Sequence, residues 1–249
     1  MPGGLFNVLN EFIVNSIINS DPAEELTITR LFLGNANAYI VKSGKEAAII
    51  DGGLGSWPER FRTALADNSG ALADVRYIMV THAHYDHVGS VKALKRAYPD
   101  ALVVAHKNEA ANLRAGLSPV PKGTMWFSRP ISWLGCRIFR HCIHFNGFAV
   151  DLEVEDSLIR ELGGTEIEFF HTPGHTSGSL CLRVGKEAVF VGDTIFHVLP
   201  ACFYPPFADL PERLIASWQR IAATGARMIH PGHGRSFSRT QFVARNGYF

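Results

Sequence analysis

The sequence has few of the features that mark several common classes of protein. Its 249 residues contain 24 Lys and Arg against 23 Asp and Glu, so a net charge of +1 gives no overall field for nucleic acid or an anionic membrane. The four cysteines, Cys136, Cys142, Cys181 and Cys202, include no CxxC pair, which favours free thiols in a reducing compartment over a disulfide framework. No run of about 18 apolar residues occurs, which disfavours a transmembrane helix. We therefore expect a cytoplasmic protein with no nucleic-acid partner and no transmembrane segment.

Strand-like and helix-like patterns alternate along most of the chain. Apolar, β-branched runs that end at turn residues predict strands at 26–33, 37–43, 46–53, 75–82, 101–106, 165–172, 179–184, 187–193 and 226–230. Apolar residues at helical spacing predict helices at 57–68, 90–98 and 210–225. A chain that mixes short strands with helices in this way is expected to form layered α/β structure with its sheets in the middle.

Two segments depart from this alternation. Near the start of the chain, apolar residues follow the stripe of an amphipathic helix, which we place at 5–18. Residues 112–160 are rich in aromatic side chains but have weak periodicity, which is typical of a functional lid or of an insertion that packs on the core. If this insertion is a lid, Trp126 and Trp133 are candidates to contact substrate. Either segment is also a candidate surface for homo-oligomer formation.

The stretch THAHYDHVGS, residues 81–90, places three histidines and an aspartate within six positions. At the end of an extended strand, His82 and His84 are two residues apart and project to the same side. Asp86 and His87 follow on the turn. Three further strands lead into glycine-containing turns that each carry one good ligand, at His175, Asp193 and His233. Seven nitrogen and oxygen donors are too many for one tetrahedral ion and suit two ions that share a carboxylate.

The order of these motifs resembles the metallo-β-lactamase-fold metallo-hydrolase superfamily of the binuclear HxHxDH type. The motifs that carry the resemblance are DGG at 51–53, THAHYDH at 81–87, TPGHTSGS at 172–179, GDT at 192–194 and PGHG at 231–234. The resemblance implies that residues 1–249 form a single domain with an αββα four-layer sandwich. It also implies that His82, His84 and His175 hold one metal ion. Asp86, His87 and His233 hold the second, and Asp193 bridges the two.

The activity implied by the resemblance is metal-dependent hydrolysis. Two divalent ions are expected to lower the pKa of a bound water to about 7 and so supply hydroxide at neutral pH. Zn²⁺ is the default for imidazole and carboxylate ligands, and Mn or Fe fits nearly as well. Asp86 is expected to orient this hydroxide and to move its proton to the leaving group. The aromatic insertion and the absence of clustered positive charge favour a small-molecule ester, thioester, lactone or lactam as substrate.

Three other functions are compatible with the same residues. A phosphodiesterase is one, because the centre suits phosphoryl transfer and the insertion contains arginines. A mononuclear iron oxygenase on the same scaffold is the second. A non-catalytic metal-binding protein is the third, although the donor set argues against it because structural zinc is normally enclosed by four protein ligands.

Overall fold

The computed structural model describes residues 13–17, 26–66, 72–200 and 202–245. Its strands are β1 (Ile13–Ile17), β2 (Leu26–Leu33), β3 (Ala36–Ser43), β4 (Glu46–Ile50), β5 (Asp74–Met79), β6 (Leu102–His106), β7 (Leu117–Pro119), β8 (Cys142–His144), β9 (Leu152–Val154), β10 (Ser157–Leu162), β11 (Thr165–His171), β12 (Leu180–Val184), β13 (Ala188–Gly192), β14 (Met228–Pro231) and β15 (Phe237–Ser238). Its helices are α1 (Pro58–Leu65), α2 (Tyr85–Val88), α3 (Val91–Ala97), α4 (Lys107–Ala115), α5 (Ser128–Ile138), α6 (Leu214–Ala223) and α7 (Arg239–Arg245), with a 3-10 turn at Pro211–Arg213.

The described strands form two large sheets and one small one. The first sheet has the order β1-β2-β3-β4-β5-β6-β9, and the second has the order β10-β11-β12-β13-β14-β15. Strands β4, β5, β6 and β9 are parallel to one another, whereas β1 to β4 form an antiparallel meander. In the second sheet only β13 and β14 pair in parallel. Strands β7 and β8 form a separate antiparallel pair.

Both large sheets bury side chains on both faces. On β3, Ile40 belongs to a cluster with Phe61 of α1, while the next residue, Val41, belongs to a cluster between the two sheets. On β13, Phe190 faces the cluster between the sheets and Val191 packs in the cluster that contains Trp218 of α6. Because successive strand residues point to opposite faces, this alternation places helices outside two central sheets. The expected αββα sandwich is confirmed.

The amphipathic helix predicted over 5–18 is wrong where the structure describes it. Residues 13–17 form β1, which pairs antiparallel with β2 at the edge of the first sheet. The sequence there, IVNSI, has three β-branched residues in five, a composition that favours extended backbone. Short apolar runs fit both periodicities, and an available sheet edge decides between them. The rest of the predicted helix lies outside the described residues.

The predicted insertion at 112–160 is shorter in the structure. Its first residues complete α4, and its last residues form β9 and β10, which belong to the two large sheets. Only residues 117–144, from β7 through α5 to β8, stand apart from the sheets, and we call them the cover segment. Among the described residues, every helix is too short or too polar to span a bilayer.

The cluster between the sheets is expected to supply a large share of the stability. Phe169 is fully buried there, with its ring 5.6 Å from that of Tyr77 across the interface. Phe169→Ala should lower the free energy of unfolding by about 3–5 kcal/mol, because it removes apolar contacts and leaves a cavity. Ile159→Ala, at a side chain that is 56% exposed on the neighbouring strand β10, should change it by less than about 0.5 kcal/mol. Urea unfolding followed by circular dichroism measures both, and equal losses would contradict this packing.

Candidate metal centre

The seven candidate ligands meet at one edge of the sandwich. His82 and His84 follow β5, and α2 presents Asp86 and His87. His175, Asp193 and His233 follow β11, β13 and β14 of the second sheet. Six of the seven residues are buried, and the side chain of His233 is 12% exposed. Because the strands end at the same edge, residues far apart in the sequence become neighbours.

One group of three histidines, His82, His84 and His175, has a ring nitrogen of each within 4.8 Å of the others. The Nε2 atom of His175 lies 2.9 Å from Nδ1 of His84 and 3.2 Å from Nε2 of His82. Three imidazole nitrogens that converge in this way form the kind of donor set that holds a divalent ion.

A second group contains Asp86, His87 and His233. The Nε2 atom of His233 lies 3.4 Å from Nε2 of His87 and 3.4 Å from Oδ2 of Asp86. Asp193 reaches both groups, because its Oδ1 is 3.3 Å from Nε2 of His87 and its Oδ2 is 3.5 Å from Nε2 of His175. The two groups therefore share one carboxylate. The sequence predicts these seven residues, and the structure brings all of them together.

Asp51, to which the sequence analysis assigns no separate role, orients one histidine of each group. Its Oδ2 accepts a hydrogen bond from Nδ1 of His87 at 2.9 Å and another from the Thr81 hydroxyl at 2.8 Å. Because the Thr81 hydroxyl has only one proton, Nδ1 of His82, 3.0 Å away, must donate to Thr81. Both rings thus have Nδ1 protonated and present Nε2 to the centre. The position of Asp51 in the DGG motif is the only signal for this role in the sequence.

Backbone carbonyls orient two more histidines. Nδ1 of His175 donates to the carbonyl of Phe207 at 2.8 Å, and Nδ1 of His233 donates to the carbonyl of Asn35 at 2.9 Å. The side-chain amide of Asn35 also donates to Oδ2 of Asp86 at 3.1 Å. Hydrogen bonds of this kind fix the tautomer and the ring direction of metal-ligating histidines.

The buried carboxylate of Glu109 ties together two of the loops that carry the histidines. Its Oε2 accepts from the backbone N–H of Ala83, and its Oε1 accepts from the Thr176 hydroxyl and the backbone N–H of Gly178. Glu109 lies on α4 and gives no motif signal in the sequence. It holds the loop of His82 and His84 against the loop of His175.

Burial and charge divide the donors into two electrostatic classes. Burial lowers the pKa of His84 to about 3, and it also lowers the pKa of His82 and of His175. Burial lowers the pKa of His233 as well, but the carboxylates of Asp193 and Asp86 outweigh it and raise that pKa to about 9. The imidazoles of the first group are therefore neutral and have lone pairs available for a metal ion. At His233, by contrast, the neighbouring carboxylates favour a positive charge.

The donor set fits divalent metal ions. Neutral imidazoles and ionised carboxylates are the forms that bind such ions. Among the described residues, Oδ1 of Asp193 is buried and accepts no hydrogen bond. A buried carboxylate oxygen without a donor is costly, and a cation at this position would remove that cost.

A pocket of about 370 Å³ opens onto these donors. Its floor contains Asp86, Asp193 and His233, and its roof is the cover segment. The roof side chains are predominantly apolar: Pro119, Val120, Pro121, Ile131, Phe139 and Ile143. The cover segment therefore lies over the centre, at the position expected for a lid.

The two tryptophans proposed from the sequence as substrate contacts do not line this pocket. Trp126 is 85% exposed and Trp133 is 60% exposed, and neither is among the residues that line the pocket. The reason lies in the phase of α5, because the face that contains Ile131 and Gly135 turns toward the pocket. The expectation for Trp126 and Trp133 is wrong.

Comparison with protein families agrees with the geometry of the centre. A family model described as the Metallo-beta-lactamase superfamily matches residues 31–233. The chain is 27% identical over 206 residues to the atrochrysone carboxyl ACP thioesterase of Aspergillus terreus, a match that covers 81% of this chain and 50% of that protein. It is 28% identical over 218 residues to the acyl-coenzyme A thioesterase MBLAC2 of Gallus gallus, which covers 81% of this chain and 73% of that protein. The chain spans about half the length of the first curated relatives that it matches.

Two further comparisons extend this picture. The chain is 28% identical over 216 residues to the probable hydroxyacylglutathione hydrolase glo2 of Schizosaccharomyces pombe, covering 84% of this chain and 68% of that protein. The crystal structure of the BLEG-1 B3 metallo-beta-lactamase superimposes with a TM-score of 0.68 at 24% identity, covering 89% of this chain and 98% of that chain. At this identity the structural likeness supports the fold alone.

Asp51 gives a direct test of the centre. The wild-type protein should bind about two divalent ions per chain. Asp51→Asn should weaken metal binding by about 10- to 100-fold, because the NH2 group of an amide cannot accept: either the Thr81 backbone N–H or the His87 and Thr81 side-chain hydrogen bonds would lose their acceptor. Competition with a chromophoric chelator and elemental analysis measure this. Asp74→Asn, at an exposed carboxylate on β5, is the matched control and should leave metal affinity unchanged. A metal content that stays near one ion per chain would favour the mononuclear oxygenase.

Proposed function

The chain belongs to the metallo-beta-lactamase superfamily, and from this membership we propose that it is a metal-dependent hydrolase of an apolar acyl thioester or ester. The observation that carries the proposal is the apolar pocket that opens onto the two donor groups. A hydrolase needs a nucleophile-generating centre and a surface that binds the acyl group beside it. The floor and the roof of this one pocket provide these two parts.

We assign the donors to two metal ions. His82, His84 and His175 would hold one ion, Asp86, His87 and His233 would hold the other, and Asp193 would be shared. Two Zn²⁺ ions are the proposed occupants, and Mn or Fe suits the carboxylate-containing group nearly as well. When bound, such ions supply hydroxide at neutral pH and stabilise negative charge on a carbonyl oxygen.

Asp86 is the proposed proton carrier. Its carboxylate lines the pocket, and the amide of Asn35 and the ring of His233 hold it in place. Because it faces the pocket from the donor groups, it can orient an attacking water and deliver a proton to a departing thiolate or alkoxide. The neighbouring ring of Phe196, stacked on His233 at 4.8 Å, limits access of bulk water on that side.

The lining of the pocket favours acyl over phosphoryl substrates. Among the described residues that line it there is no Lys or Arg to neutralise a phosphate. The roof instead offers aliphatic and aromatic surface, which suits a hydrocarbon chain. This argues against the phosphodiesterase alternative. The complete second donor group argues against a mononuclear oxygenase.

The relatives favour a thioester over an oxygen ester. Three of the proteins to which the chain is similar are named as two thioesterases and a probable hydroxyacylglutathione hydrolase. From these relatives we carry over to this chain only the type of bond that is hydrolysed, a thioester. The group that carries the acyl chain in the cell is a separate question, because the first relatives are about twice as long as the match.

The proposal also covers the organisation and location of the chain. We propose that the described residues act as a single domain, since the donor groups combine loops from both large sheets. We also propose a reducing compartment such as the cytoplasm, supported by four cysteines that are all free thiols.

A substrate panel and an Asp86 variant test the reaction. The metal-loaded protein should hydrolyse acyl thioesters faster than matched phosphodiesters or β-lactams. Asp86→Asn should lower kcat by about a hundredfold or more, the usual scale for general acid–base catalysis, while the fold is retained. Steady-state kinetics with a thiol-reactive dye provide the readout, and metal content must be measured on the same samples. An Asp86→Asn variant with full metal content and full kcat would exclude the proposed role.

The roof of the pocket should set the preference for acyl length. Phe139→Ala or Ile143→Ala should raise KM for a long-chain acyl thioester by roughly tenfold, because apolar contact with the chain is lost. KM for an acetyl thioester should change little, since a short acyl group does not reach the roof. Ile159→Ala, far from the pocket on β10, is the control. A uniform loss on both substrates would mean that these side chains support the centre and do not select the acyl group.

A further inference from the structure

The cover segment exposes an unusually apolar surface next to the pocket. Phe127, Ile131, Leu134 and Ile138 follow one another at helical spacing and are all exposed along α5. Leu134 is 51% exposed and Ile138 is 62% exposed. Trp133 of α5 is exposed as well. Large side chains of this kind are rarely left in water as a continuous stripe unless something covers them.

The same segment carries charge of one sign only. Residues 117–144 contain four basic residues, Lys122, Arg129, Arg137 and Arg140, and no Asp or Glu. The remainder of the chain has a net charge of −3, since the whole has +1. All four basic side chains are exposed, and in the part of the chain that the structure describes none forms an ion pair. The guanidinium of Arg137 lies over the ring of Trp133 at 4.7 Å.

We propose that the cover segment is a docking surface for an anionic lipid bilayer. A helix with exposed Trp, Leu and Ile beside Arg and Lys, and without acids, has the composition of helices that lie in the interfacial plane of a membrane. Each basic residue near an anionic surface contributes about 1 kcal/mol of attraction. The apolar stripe contributes the hydrophobic part by inserting among the acyl chains.

The distribution of charge disfavours the simplest alternative, a second copy of the chain. A two-fold dimer through this face would bring four cations of one chain against four of the other. A bilayer with anionic headgroups removes that repulsion and covers the apolar stripe at once.

Docking in this orientation also places the pocket next to the membrane. Ile131 and Phe139 belong to the exposed part of the cover segment and also line the pocket. The exposed apolar side chains of α5 therefore lie next to those that line the pocket, and a bilayer that covers the first would border the second. An acyl chain that leaves the bilayer would meet the pocket roof within the width of one helix. The docking itself does not depend on the proposed hydrolase activity.

Vesicle flotation of the full chain tests this surface. The protein should bind vesicles of phosphatidylcholine mixed with phosphatidylglycerol, bind pure phosphatidylcholine vesicles much more weakly, and lose affinity as salt is raised. Binding should shift tryptophan fluorescence to the blue, because Trp133 enters an apolar environment. Leu134→Glu and Arg137→Glu should each weaken binding by at least about fivefold, the effect of roughly one surface charge.

Matched controls separate this surface from general effects. Ile159→Glu and Arg96→Glu make the same changes at exposed positions away from the cover segment and should bind vesicles like the wild type. Unfolding midpoints and hydrolysis of an acetyl thioester by Leu134→Glu check that the fold and the centre are intact. No binding to anionic vesicles, or equal loss in the controls, would overturn the proposal. So would a dimer that Leu134→Glu dissociates, or saturable binding to an acidic protein without binding to vesicles.

Discussion

The centre depends on hydrogen bonds that hold the outer side of four of the five histidine rings, away from the donor groups. Nδ1 of His87, His175 and His233 donates to Asp51 or to a backbone carbonyl, and Nδ1 of His82 reaches Asp51 through Thr81. With the outer nitrogen fixed, the inner nitrogen can only point toward the common centre. Without these partners, the buried imidazoles would rotate to form hydrogen bonds with one another. The space between the donor atoms would then be lost. Asp51 is the most connected of the partners, since it orients a ring in each group.

The pocket combines two kinds of surface that come from different parts of the fold. The polar floor is built from strand ends of the two large sheets, where short loops place buried carboxylates and imidazoles within a few ångströms. The roof comes from the cover segment, which belongs to neither sheet and contributes apolar side chains. The rigid sandwich thus fixes the chemistry, while a separate segment determines what binds beside it. Under the proposed function, changes in the roof would alter the preferred substrate without disturbing the donors.

The alternation of strands and helices predicts layered α/β structure, and the resemblance carried by the motifs implies the sandwich and the meeting of the donors. The sequence does not reveal Asp51 or Glu109 as orienting groups. His87 lies 36 residues from Asp51, and Ala83 lies 26 residues from Glu109, so no local sequence pattern joins either pair. The sequence predicts a helix where Ile13–Ile17 form a strand, because a short apolar run takes its structure from the neighbouring edge of β2. It misplaces Trp126 and Trp133, since the weak periodicity of residues 112–160 gives no signal for the direction in which their aromatic side chains point.

The origin of the donors in both sheets links metal supply to folding. An ion held by His82, His84 and His175 would join the loop after β5 in one sheet to the loop after β11 in the other. A ligand that binds only the folded state stabilises it by mass action, by about 4 kcal/mol when its free concentration is a thousand times its dissociation constant. The lifetime of the folded chain is then set partly by the availability of free metal ions. Depletion of metal ions would then increase proteolysis of the protein as well as remove its activity.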